Sequence, residues 1–99
     1  PTGVEAEEQT VPTAFALNQN YPNPFNPTTR ISYLLPASTR ATLIITDILG
    51  RHVATLVDEE KSAGVHAMTW NASGLPSGIY FLQMRAGGIV ETRKLLLAK

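Results

Sequence analysis

The chain has 99 residues, eight Lys and Arg against eight Asp and Glu, and no cysteine. A length of this order holds one hydrophobic core and therefore one domain. The balanced charge gives no broad field for nucleic acid or anionic lipid, and the missing thiols exclude a disulfide framework, thiolate metal sites and cysteine catalysis. The longest apolar runs, Leu34-Leu35, Leu43-Ile44-Ile45 and Leu95-Leu96-Leu97-Ala98, fall far short of the roughly 20 residues that a membrane helix needs. The chain starts at Pro1 without an initiator methionine or a signal-peptide pattern, which reads as a piece of a longer protein.

Taken in chain order, residues 1–14 read as a linker, because Glu5, Glu7, Glu8 and Gln9 surround only Val4 and Val11 as sizeable apolar residues. The alternative is a short edge strand around Glu7 to Val11. A domain over residues 15–99 follows. It opens on Leu17 to Thr29, where Pro22, Pro24 and Pro27 interleave with Asn18, Asn20, Asn23, Asn26, Tyr21 and Phe25. Each proline lacks a main-chain donor and forces the residue before it into extended geometry, so this run is a stiff, shaped loop and neither a helix nor a central strand.

From Arg30 the apolar period is two. Ile31, Tyr33 and Leu35 share one face of a strand that Pro36 ends, and Ala41, Leu43 and Ile45 share one face of the next. Asp47-Ile48-Leu49-Gly50 reads as a tight turn with Gly50 in the left-handed position. A third strand is expected at about Arg51 to Leu56, then an exposed loop or single helical turn over Asp58 to Gly64. The fourth strand sets His66, Met68 and Trp70 against Val65, Ala67 and Thr69. Residues 71–78 form a turn cluster, a fifth strand covers Ile79 to Arg85, and Gly87-Gly88 is a hairpin signal returning a last strand over Ile89 to Lys99.

Short strands with regularly spaced turns predict an all-β fold, an antiparallel immunoglobulin-like β-sandwich of about seven strands. Gly78-Ile79-Tyr80-Phe81-Leu82 resembles a tyrosine corner, with Leu82 where antibody domains carry cysteine. Trp70, Met68, Leu82, Tyr80, Leu43, Ile45, Tyr33 and Ile31 are the expected core.

Little in the chain speaks for chemistry. His52 and His66 stand in no metal-ligand spacing, and His66 reads as a packed strand residue. No serine sits in a Gly-x-Ser-x-Gly context. Asp58, Glu59 and Glu60 could offer oxygen to calcium, but they lack the alternating carboxylates of an ion loop and read as a solvated stretch. The one tryptophan shares a face with Met68, which argues against a stacking platform for sugars; Tyr21 and Phe25 could be exposed or could pack over one end of the sandwich. The last strand is the candidate recognition surface: Leu95 and Leu97 face the core, Lys94, Leu96 and Ala98 face outward, and a sheet edge offers unpaired main-chain groups to a partner.

Phe15 to Lys99 resembles the type A C-terminal sorting domain of proteins exported by the type IX (Por) secretion system. The resemblance is carried by Leu17-Asn18-Gln19-Asn20-Tyr21-Pro22-Asn23-Pro24-Phe25-Asn26-Pro27, then Ile31 to Pro36, Asp47 to Arg51, Val53 to Val57, Ala63 to Trp70, Leu75 to Phe81 and Thr92 to Leu97. Thr46 and Ala41 depart from the pattern, which more often has an aromatic and a larger aliphatic residue there. In that family Asn20, Pro22, Asn23, Pro24, Phe25, Asn26, Pro27, Gly50, Gly64, Trp70, Gly78 and Tyr80 would be structural. Recognition would fall on Lys94, Leu95, Leu96, Leu97, Ala98 and Lys99.

The resemblance implies a non-enzymatic signal fused behind a passenger and recognised by outer-membrane machinery. A sortase-like protease would cut within Pro1 to Ala16 and attach the passenger to the surface of a Gram-negative, Bacteroidetes-like cell after passage through the periplasm. The chain is further expected to be a monomer with no cofactor, metal, nucleic acid or small-molecule substrate. The alternative is a carbohydrate-binding or adhesive accessory module of a secreted glycosidase.

Overall fold

The computed structural model describes residues 14–99, so both readings of the segment before Ala14 lie outside the described residues. Within them are seven strands: β1 Ala16–Leu17, β2 Thr28–Leu35, β3 Thr39–Asp47, β4 His52–Lys61, β5 Gly64–Asn71, β6 Gly78–Ala86 and β7 Ile89–Leu97. They form two antiparallel sheets, β1-β2-β5 and β4-β3-β6-β7, which pack as the expected sandwich. A constant-type immunoglobulin domain places its fourth strand beside its fifth; here β4 stays with β3, giving three strands against four.

The alternation read from the sequence sets the core. Ile31, Tyr33 and Leu35 of β2 and Trp70 of β5 face Ala41, Leu43 and Ile45 of β3, Tyr80, Leu82 and Met84 of β6, and Leu95 and Leu97 of β7. All of these are buried, while Met68, expected among them, is only half-buried. Tyr80 completes the corner: its hydroxyl donates to the Pro76 carbonyl at 2.6 Å.

One expected loop is a strand instead. β4 runs on to Lys61, so Asp58 to Lys61 are strand residues where an exposed loop or helical turn was expected. The reason is position in the sheet. β4 is an edge strand, its solvent side tolerates charge, and Asp58 and Glu59 are paired by Arg40 at 2.9 Å and Lys61 at 2.9 Å. The register with β3 shifts twice, which breaks the simple alternation that a sequence reading relies on.

The β6–β7 hairpin closes at Gly87-Gly88 with φ of +57° and +83°, as a tight two-residue connection requires. Gly87 carries a second constraint, because a Cβ there would overlap the tip of the Phe15 ring. Gly87→Ala is therefore expected to cost the ~1 kcal/mol of a left-handed alanine and, in addition, the displacement of the Phe15 ring. Gly88→Ala, which meets nothing within 4 Å, should cost only that backbone share. Chemical denaturation of the two variants compares them directly, and equal losses would mean that Phe15 does not rest on the hairpin.

Candidate functional site

β7 places its side chains as the alternation predicts, with Leu95 and Leu97 buried and Lys94, Leu96 and Ala98 outward. Its inner edge pairs with β6, Leu96 opposite Ile79 and Leu95 opposite Tyr80. The outer edge, expected to be open, is covered. Phe25 N donates to Leu96 O at 2.9 Å and Ala98 N donates to Phe25 O at 2.9 Å, a short parallel bridge. Leu96 N donates to Asn23 Oδ1 at 2.9 Å, and Gln19 Nε2 donates to Lys94 O at 2.8 Å. The asparagine and proline loop therefore takes the place of an eighth strand along the end of β7.

The physical reason lies in two anchors. Phe25 is buried, with its ring centroid 5.7 Å from that of Trp70, so the loop is pinned to the core at its middle. Asn20 is also buried. Its Nδ2 donates to Thr29 Oγ1 at 2.9 Å and to Pro22 O at 3.1 Å, its Oδ1 accepts from Gln19 at 2.7 Å, and Thr29 Oγ1 donates to Pro22 O at 2.9 Å. Pro22, Pro24 and Pro27 carry no main-chain donor to satisfy; the Pro27 carbonyl accepts from Ala72 N at 2.9 Å. Pro24 and Asn26 are exposed.

Removing Asn20 orphans polar groups in a closed site, at a cost of about 1–3 kcal/mol. Asn20→Ala is accordingly expected to lower unfolding free energy by that amount, and to be non-additive with Thr29→Val because the two share one network. A loss under about 0.5 kcal/mol in urea denaturation, the range of ordinary surface changes, would remove the network from the loop's support.

Beside β7 lies an apolar end. Leu96 and its partner Ile79 are both exposed, and Ile79 also lines a groove of about 440 Å³ with Ile48, Leu49, Val53, Leu75 and Pro76. Leu49 at the groove's rim is 71 % exposed. The turn that presents it is held firmly. Asp47 Oδ1 accepts from Leu49 N and Arg51 N, both at 2.9 Å, and Asp47 Oδ2 accepts from Arg51 Nε at 2.8 Å. These bonds, the Arg51 amide foremost, hold the Asp47 carboxyl below its usual range. Gly50 takes the left-handed position, φ +82°.

Of the remaining residues singled out in the sequence, Lys94 is exposed, and Lys99 Nζ is held by the carbonyls of Ser73 and Leu75. Lys99 is thus a clamp on the 73–77 loop as much as a surface charge. Gly64 and Gly78 open β5 and β6 at positive φ. His66 stacks on Tyr33, with ring centroids 5.3 Å apart, and its Nε2 lies 2.8 Å from Ser62 O, the packed role its strand face suggested.

Asp58, Glu59 and Glu60 follow one another along β4, where successive side chains point to opposite faces, so they do not converge on an ion. Phe25 and Trp70 are buried, and Tyr21, at 79 %, is the large exposed aromatic among the described residues. One stacking residue does not make a sugar platform. Two contributors to the loop were missed in the sequence reading. Gln19 stood within the motif but was not singled out, and Glu91, whose Oε1 accepts from Leu17 N at 3.0 Å, carried no local signal at a separation of 74 residues.

A search of curated proteins returns no match to the chain. The model of the secretion system C-terminal sorting domain matches residues 19–98, a span that opens in the loop beside Asn20 and closes beyond β7. That span contains β2 to β7 and the loop residues that cover the last strand, and the chain therefore belongs to this family of type IX secretion sorting signals, a family that directs export and is not catalytic.

Proposed function

We propose that the folded domain is read by the type IX export machinery at one end of the sandwich. The surface runs from the outward side chains of Lys94, Leu96 and Ala98 through Ile79 to the groove edged by Ile48 and Leu49. The observation that carries this reading is the register pairing of two exposed apolar residues, Leu96 and Ile79, beside an apolar groove on a rigid turn. Exposed apolar surface of this kind marks interaction sites in soluble domains. Because the loop already occupies the main-chain edge of β7, recognition there proceeds through side chains and not through strand addition. Leu95, Leu97 and Lys99 act by holding the last strand in place.

In this reading the domain is of type A and follows a passenger that it carries through the periplasm to the cell surface or medium of a Bacteroidetes-like bacterium. The machinery includes a sortase-like protease that cuts within Pro1 to Ala16 and attaches the passenger to the surface.

The test is surface display of a passenger fusion. Leu96→Glu and Leu49→Glu change exposed side chains, so both variants should melt as the parent does and yet leave the passenger in the periplasm. Normal display by both, with parental melting, would overturn the proposal.

A further inference from the structure

Two open sheets have four edges, and an unprotected edge is a template for another strand. Three of the four are blunted here by different means. β1 is only two residues long. β4 carries Asp58, Glu59, Glu60 and Lys61 and two register shifts. β7 has the loop bonded along its outer side between Lys94 and Ala98. β5 has none of these devices: eight residues, no charged side chain, no proline and unbroken register with β2.

The free groups of β5 follow from the hydrogen bonds on the far side of β2. Arg30 N and O bond Tyr21, and Ser32 O accepts from Asn18 N, so Arg30 and Ser32 aim away from β5. In an antiparallel ladder the direction alternates. Thr29, Ile31 and Tyr33 therefore aim at β5 and bond their register partners Trp70, Met68 and His66. Val65, Ala67 and Thr69 then present their N–H and C=O groups to the open edge. No hydrogen bond to these six groups occurs among the described residues. Their side chains are exposed, Val65 at 69 %.

We infer that β5 is a self-association edge, where the β5 of a second copy adds antiparallel about a two-fold axis at Ala67. The pairing would join the two small sheets into one six-stranded sheet through six main-chain hydrogen bonds. A second copy is the occupant that the chemistry favours. A two-fold interface sets each residue against its own equivalent or one reflected through the axis, so charge near the axis meets like charge and repels. β4, with its acidic run, fails that condition, and β5 meets it because it has no charge. About this axis Val65 faces Thr69, two β-branched residues suited to a ladder, and Ala67 faces its own mate without crowding. An acidic or basic peptide would find no counter-charge on β5. A monomer was the expectation; the edge left unguarded among the described residues is what changes it.

Sedimentation velocity of the 99-residue chain between about 10 µM and 1 mM, the range of weak association, is the test. A dimer should grow in with concentration. Ala67→Lys and Ala67→Glu, both at an exposed side chain, should each melt as the parent does and weaken the dimer at least tenfold, and an equimolar mixture of the two should restore it. Amide exchange at Val65, Ala67 and Thr69 should slow as the dimer forms, while that of Thr92 should not. A parent chain that stays monomeric throughout, a dimer indifferent to both variants, or a mixture that fails to restore association would each overturn the proposal.

Discussion

Deleting Leu95 to Lys99 is expected to unfold the domain, and not merely to silence it. Leu95 and Leu97 are fully buried, and cutting a buried leucine back costs about 2–5 kcal/mol each. The deletion also strips Gly78, Ile79 and Tyr80 of their β7 partners and removes the groups that Phe25 bonds. Together these losses approach or exceed the roughly 5–15 kcal/mol that holds a domain folded. Thermal melting followed by circular dichroism should show no cooperative transition in the truncated chain; a sharp transition near the parental midpoint would contradict the burial of β7. The consequence for function is direct. Export lost on truncation reports the loss of the fold, so only outward-facing changes such as Leu96→Glu can separate recognition from stability.

Trp70→Ala is expected to cost about 3–5 kcal/mol, as large-to-small changes of buried aromatics do, and to lower the melting temperature by on the order of 20 °C for a domain of this size. Trp70 fills the end of the core over which Phe25 folds. Losing it also loosens the loop whose main chain covers β7. Phe25→Ala should therefore be comparable, and the double variant should lose less than the two single losses added, because the rings share one contact. Equilibrium urea unfolding of the three variants forms the cycle. A Trp70→Ala loss below about 1 kcal/mol, or strict additivity with Phe25→Ala, would separate the two rings energetically and detach the loop from the core.

What was legible in the sequence follows from local rules. Ile31, Tyr33 and Leu35, and Ala41, Leu43 and Ile45, declare their strands because one face of each must be dry. Gly50 and Gly87-Gly88 declare their turns because side chains resist those angles. Tyr80 declares its corner because the hydroxyl must find an acceptor, and Pro76 lies only four residues back. Asp58 to Lys61 misled for the converse reason. Four consecutive polar residues look like loop until it is known that β4 lies at an edge, where solvent and Arg40 receive their charges.

The candidate site divides in the same way. The sequence by itself determined the outward positions of Lys94 and Leu96, the stiffness of the run from Asn20 to Pro27, and the resemblance that the family match then supported. Tertiary structure alone decided that this run lies along β7, since Asn23 and Leu96 are 73 residues apart and nothing local to either names the other. It also decided which edge is left open among the described residues. An edge is a property of the order in which strands assemble, and that order is set by long-range packing that no window of sequence contains.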